Sequence, residues 1–193
     1  MIPSLILASS STYRAELLQR LGIPFIQDRP DVDESALNNE TPRETALRLA
    51  ETKARHVADR HPGSVIIGSD QLASLNGEAL GKPGTLQNAQ TQLGRLSGQV
   101  VTFHTAICVL DTRSGQRHLH EVPCEVLYRE LTAHQIESYL TQEPAFDCAG
   151  AARIEALGIS LTRYVRCDDP TALIGLPLIT VVDLLKQCGI AIP

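Results

Sequence analysis

Three short stretches of the chain hold residues able to grip a phosphate-bearing ligand. The first is Ser9-Ser10-Ser11-Thr12 with Arg14, which follows the apolar run Leu5–Ala8 and precedes an apolar spacing at Leu17, Leu18 and Leu21 that stops at Gly22. A strand that enters a helix through such a turn leaves backbone N–H groups and the positive end of the helix dipole facing solvent, which is an anion site. Arg14 falls in the first helical turn, where a cation is disfavoured by roughly a few tenths of a kcal/mol unless an anion lies beside it. An ordinary N-cap serine with Arg14 in solvent accounts for the same residues. The second stretch is Val65-Ile66-Ile67-Gly68-Ser69-Asp70-Gln71. It sets the Asp70 carboxylate at the carboxyl edge of a sheet, where open α/β sheets bind ligands. A carboxylate with an ordinary pKa of about 3.9 is a weak base at neutral pH, so it needs burial, a like charge or a metal to activate water. The third is Asp31-Val32-Asp33-Glu34, whose Glu34 offers a second hard oxygen donor for a divalent cation that carries phosphates with it. A solvated acidic loop is the plainer reading of that run.

Other polar residues carry less. Lys82 lies in the turn Gly81-Lys82-Pro83-Gly84, which either holds a cation against a ligand or displays a surface lysine. The segment Gly77-Glu78-Ala79-Leu80-Gly81-Lys82-Pro83 is one residue short of a P-loop and has proline where a hydroxyl should bind magnesium, so a P-loop NTPase is excluded. No G-x-G-x-x-G, H-E-x-x-H or G-x-S-x-G is present, which removes the main support for dinucleotide oxidoreductases, zincins and serine hydrolases. Lys53, mid-helix in Ala50-Glu51-Thr52-Lys53, reads as a solvated residue on an exposed face. His118 and His120 share one face of a strand without a third ligand and read as surface histidines.

The elements that must position these residues follow from the pattern. Thr41-Pro42-Arg43-Glu44 is a capping box with proline at the first helical position, and the helix it opens carries Ala46, Leu49, Ala50, Ala54 and Val57 and ends before His61-Pro62-Gly63. A strand is expected near Pro24–Gln27, another over Val65–Ile67, and a hairpin at Asn76-Gly77. Thr85–Leu96 reads as a helix, Gln99–Leu110 with Gly115–Tyr128 as a long antiparallel pair, and Thr132 caps a helix to about Thr141. A strand around Ile159–Val165 and a helix after Pro177 close the chain. The expected class is α/β with a mixed sheet and flanking helices, one domain over residues 1–193 with room for two lobes.

Composition sets the outer bounds. At 193 residues one compact unit buries about 70% of its unfolded surface, so neither disulfides nor a structural metal is required. With 17 Lys+Arg against 22 Asp+Glu, net −5, and no Trp, the chain is ill suited to binding nucleic acid through backbone charge. The longest apolar run, Leu173–Leu185, is broken by Gly175, Pro177, Thr180 and Asp183, short of the roughly 20 residues that span a bilayer, so no membrane association is expected. The start of the chain shows no basic region before its short apolar stretch, which suggests no export signal and a cytoplasmic location. Five cysteines without a C-x-x-C pair read as buried thiols in a reducing compartment.

Taken in order, Leu5-Ile6-Leu7-Ala8-Ser9-Ser10-Ser11 with Arg14, Asp33-Glu34, Lys53 before Ala54, Ile67-Gly68-Ser69-Asp70-Gln71, Gly81-Lys82-Pro83 and Ile174-Gly175-Leu176-Pro177 resemble the Maf family over nearly the whole chain. The resemblance implies a mixed α/β fold related to the inosine triphosphate pyrophosphatases (Maf/Ham1), with two lobes around a cleft that substrates enter. It also implies a cytoplasmic nucleoside triphosphate pyrophosphatase, of the house-cleaning kind that removes modified nucleotides. It implies Ser9, Arg14, Glu34, Lys53, Asp70 and Lys82 as site residues, with Asp70 as proton acceptor. Ser9, Arg14, Lys53 and Lys82 would clamp the phosphates, and Glu34 with Asp70 would hold Mg²⁺ or Mn²⁺. Members of the family differ at positions corresponding to Tyr13, Gln71 and Glu155, and the resemblance is to the subfamily acting on 7-methyl-GTP, which often carries Trp in place of Tyr13. A methylated, positively charged guanine would stack on Tyr13 and find acceptors at Glu155. Tyr13 packing on its own helix, and Glu155 paired with Arg153 at the surface, account for the same residues. A dTTP/UTP pyrophosphatase of the same family and a nucleotide-binding regulator of septum formation are the alternative functions. A homodimer would suit a cytoplasmic enzyme of this size.

Overall fold

The computed structural model describes residues 3–192. The strand β1 (Leu5–Ala8) runs through the serine turn into α1 (Thr12–Gln19), where Ser11 caps the helix by accepting the Arg14 N–H at 3.3 Å. The short β2 (Ile26–Asp28) follows a reversal at Gly22, whose φ of 67° favours glycine. The expected capping box opens α2 (Pro42–Ala58): Thr41 Oγ1 accepts the Glu44 N–H at 3.2 Å, and the Glu44 carboxylate accepts the Thr41 N–H at 2.9 Å. Next come β3 (Val65–Leu75), the Asn76-Gly77 hairpin with φ of 52° and 82°, and β4 (Glu78–Leu80). They lead to α3 (Leu86–Leu96), β5 (Val100–Asp111) and β6 (Gln116–Tyr128). A second capping box, Thr132 with Gln135, opens α4 (Ala133–Gln142), and β7 (Thr162–Cys167) and α5 (Leu178–Gln187) complete the order.

The seven strands form one mixed sheet in the order β2-β1-β3-β5-β6-β7, with β4 paired to β3 off this path. β1 is parallel to β2 and β3, and every other pairing is antiparallel. Strand periodicity distributes the core. Leu5, Leu7, Val65 and Ile67 pack against α1 and α5 through Leu17, Leu18, Val181 and Leu185. Ile6, Ala8 and Ile66 face α2 through Ala46, Ala50, Ala54 and Val57. A third cluster gathers α3, α4 and the far ends of β5 and β6 through Leu93, Leu96, Val101, Phe103, Val126, Tyr128 and Tyr139. The expected α/β class with a mixed sheet and flanking helices is what the chain adopts.

Three details differ from expectation. The strand at Val65–Ile67 continues to Leu75, so Asp70 sits in mid-strand instead of at a strand end; polar Ser69 and Asp70 concealed the continuation. The last strand begins at Thr162, because Leu157–Leu161 form a 3-10 turn. Cys124 and Cys167 are register partners on β6 and β7 and are joined in a disulfide, whereas Cys108 and Cys188 are the buried thiols expected. Among the described residues no helix is long and apolar enough to cross a membrane.

Candidate active site

Where the parallel and antiparallel parts of the sheet meet, the chain opens a cleft of about 840 Å³. Strand β1 stops at Ala8, opposite Gly68, while β3 continues, so Asp70 lies just past the carboxyl end of its parallel neighbour. The ligand-binding edge inferred from sequence is therefore that of β1, with the longer β3 carrying Asp70 beyond it. Ser9, Tyr13, Arg14, Glu34, Lys53, Asp70, Gln71, Lys82 and Glu155 all line this cleft.

Alternation along β3 sends Asp70 to the face covered by α2 and Ser69 and Gln71 to the other. Gly68 makes the first of these possible: a Cβ there would collide with the Ala50 carbonyl and Ala54 on α2, so only glycine lets the helix lie this close. The next inward position on α2 is Lys53, 4% exposed, and its Nζ donates to Asp70 Oδ1 at 2.5 Å and meets Glu34 Oε1 at 2.7 Å. Both carboxylates thus converge on one buried cation. Partial burial works against ionising Glu34, but Lys53, with Lys82 and Arg14 farther off, outweighs it and holds the carboxyl below its usual range. The solvated lysine read from α2's sequence is the centre of the site. Its spacing held the clue, since Ala46, Ala50, Lys53 and Val57 follow the i, i+4, i+7, i+11 pattern of an inward face.

The serine turn is a built cradle. Ser9, nearly fully buried, accepts the Ser11 N–H at 3.1 Å, and Gln27 Nε2 donates to the Ser9 and Ser11 carbonyls at 2.9 and 3.2 Å. Arg14 is not in free solvent: its Nε donates to the Gly175 carbonyl at 2.9 Å, an oxygen that also accepts Ser69 Oγ at 3.0 Å. Burial lowers the Arg14 pKa and the charges of Asp70 and Glu34 oppose the shift, so the guanidinium remains a cation. Gly175 has φ 122°, a region closed to most side chains, and presents this carbonyl to both donors. Lys82 is exposed on the loop after β4 with no ion pair among the described residues, and Arg29, which sequence reasoning passed over, adds another exposed cation to the wall.

Next to Asp70 on β3, Gln71 Nε2 donates to Thr105 Oγ1 at 2.8 Å and to the Ala172 and Leu173 carbonyls at 2.9 and 3.1 Å. Its amide nitrogen is committed to the protein, which fixes the group and leaves Oε1 as its acceptor. Glu155 is exposed on the wall. It does not pair with Arg153, which instead reaches Asp147 at 3.3 Å and Glu143 at 3.9 Å and lies over the Tyr13 ring, 5.5 Å from its centroid. Burial pushes the Cys148 thiol up to about 11, which leaves it protonated and poorly nucleophilic at neutral pH.

The family model described as Maf-like protein matches residues 4–188. The chain belongs to the Maf family. It is 52% identical over 189 residues, 98% of this chain and 97% of the other, to a protein of Aromatoleum aromaticum named 7-methyl-GTP pyrophosphatase. A Xanthomonas campestris pv. campestris protein of the same name is 51% identical over 193 residues, the full length of both chains. Among solved structures, a HAM1 protein from Coxiella burnetii superimposes with a TM-score of 0.55 at 16% identity, covering 96% of this chain and 99% of that one, which is a likeness of fold. For this Maf-family chain the arrangement offers cations for an anionic ligand, a buried carboxylate for a proton, and an aromatic ring with acceptors on the same wall.

Proposed function

We propose that this chain hydrolyses 7-methyl-GTP to 7-methyl-GMP and pyrophosphate, with the nine cleft residues as its site. The observation that carries the chemistry is Asp70, buried in the cleft wall and bonded to Lys53 while the serine turn and Arg14 present donors beside it. The base assignment is carried by the shared name of relatives about half identical over the full chain.

The triphosphate lies with its oxygens toward the N–H groups after Ser9, the guanidinium of Arg14 and the ammonium groups of Lys53 and Lys82. Charge-assisted hydrogen bonds are the strongest means available to such a site. Asp70 orients a water for attack on phosphorus and accepts its proton, and the bond to the pyrophosphate leaving group breaks as the cations balance its charge.

A divalent ion fits the donor set: Glu34 and Asp70 are hard oxygen ligands on the cleft wall, close enough to each other that both reach Lys53 Nζ. Mg²⁺ and Mn²⁺ are commonly held by one or two carboxylates plus substrate phosphates. Bound there by Glu34 and Asp70, such an ion would supply charge neutralisation at the phosphates. At the other end Tyr13 offers a ring face to the cationic base, and Gln71 Oε1 and Glu155 offer acceptors to the guanine N–H groups.

The test is product analysis with Mg²⁺ or Mn²⁺ over GTP, 7-methyl-GTP, dTTP, UTP, CTP and ITP, resolving mono- and diphosphates, pyrophosphate and phosphate. Monophosphate and pyrophosphate in equal amounts, chiefly from 7-methyl-GTP, are expected, with turnover cut about 10²- to 10⁴-fold in Asp70→Asn while the fold persists. The same products chiefly from dTTP or UTP overturn the base assignment, and nucleotide binding without turnover overturns the hydrolase.

A further inference from the structure

The Tyr13 platform has a charged backing. Tyr13 lines the cleft, and the Arg153 guanidinium occupies one face of its ring, 5.5 Å from the centroid, so a stacked base has only the other face. This placement is built into the loop. The Arg153 N–H donates to the Tyr139 hydroxyl at 3.1 Å, and Gly158 packs so tightly on the Arg153 backbone that a Cβ there would collide with it. The side chain is held between two acids, Asp147 at 3.3 Å and Glu143 at 3.9 Å. Of these, Asp147 also lines the cleft and is 60% exposed on its side chain, next to the platform.

The two charges act on a stacked base with opposite sign. A base on the face of Tyr13 that Arg153 leaves open would lie about 9 Å from the guanidinium, near enough for like charges to repel in a half-solvated site. Asp147, which lines the cleft, carries the opposite charge. A neutral guanine senses neither strongly, whereas an N7-methylated, cationic guanine senses both.

We propose that Arg153 and Asp147 form a selectivity pair that sets how strongly this site prefers a cationic over a neutral purine. Arg153 acts as a positioning residue behind Tyr13, and Asp147 is the counter-charge on the cleft wall. This rests on the pyrophosphatase reading above. Arg153, Asp147 and Glu143 together carry one net negative charge; Arg153→Met makes it two, and Asp147→Asn makes it zero. The ordering of preference follows from that count alone.

The experiment is kcat/KM for 7-methyl-GTP and for GTP in the native protein and in Arg153→Met, Arg153→Lys and Asp147→Asn, with thermal melts to verify folding. The ratio of the two values is expected to rise about three- to tenfold in Arg153→Met, to fall by a similar factor in Asp147→Asn, and to stay near native in Arg153→Lys. A purely structural role for Arg153 slows both substrates alike and leaves the ratio unchanged, which overturns the proposal, as does a shift of the same sign in the Met and Asn variants. Should Arg153→Met not fold, the opposed expectations for Asp147→Asn and Arg153→Lys decide it. Absence of turnover of both nucleotides by the native protein is a different failure, one that removes the pyrophosphatase reading itself.

Discussion

Replacing Lys53 by methionine, which is similar in volume and uncharged, tests whether the site is organised around a buried cation. In the native chain Asp70 and Glu34 reach the same ammonium at 2.5 and 2.7 Å; the Asp70 side chain is 10% exposed and that of Glu34 60%. Without the ammonium Glu34 can turn to solvent, but Asp70 is left as an uncompensated buried charge. Removing one partner of a buried pair costs about 3–5 kcal/mol. For a chain of this length each kcal/mol lowers Tm by about 2–4 °C, so a drop of roughly 6–20 °C is expected. Asp70→Asn should cost less, about 1–3 kcal/mol, because Lys53 keeps Glu34 as its partner. The double variant should be more stable than Lys53→Met alone, since it removes the stranded charge. Urea unfolding at pH 7 on the four proteins gives the coupling directly. A Lys53→Met protein that melts within a degree or two of native, or a double variant whose loss equals the sum of the singles, would refute the buried-cation account.

Gly68→Ala should cost about 3 kcal/mol or more by overpacking α2 against β3, and because that shift also moves Lys53 off Asp70, turnover should fall even at temperatures where the variant is folded; native-like kcat there contradicts the proposed packing. Asp28 is held at a pKa of about 2 by its hydrogen bonds to Arg60 and His61, below its ordinary 3.8. A folded-state value below the unfolded one gives stability that is present above about pH 4 and lost as pH falls toward 2. With Asp28 a quarter exposed and Arg60 more so, the pair is screened, so Asp28→Asn should lower stability by about 1–2 kcal/mol at pH 6–7 and by progressively less as pH falls through 2, and a loss independent of pH would show that the charge is not the cause.

Local signals in the sequence located the elements well because they act over three or four residues. The Thr41/Glu44 box starts α2, the Asn76-Gly77 pair sets the β3–β4 hairpin, and the serine turn caps α1, each by bonds within its own segment. What escaped depends on register between distant segments. Lys53 looks solvated until α2 is laid on β3 with Gly68 beneath it, and Arg153 looks like a partner for its neighbour Glu155 until the loop is closed around Gly158. The Cys124–Cys167 pairing likewise needs the β6–β7 register, which no local pattern carries. Arg14 belongs with these: its bond to Gly175 spans 161 residues, and only when that bond is known does an arginine in a first helical turn cease to be anomalous. The carbonyl of Gly175 answers one N–H of the guanidinium and fixes its plane, while the remaining donors stay available beside the serine turn to an anion from the cleft. A lysine at position 14 would keep the charge and lose that fork, so under the proposed function the cleft's grip on phosphate depends on which cation stands there and on the glycine that holds it.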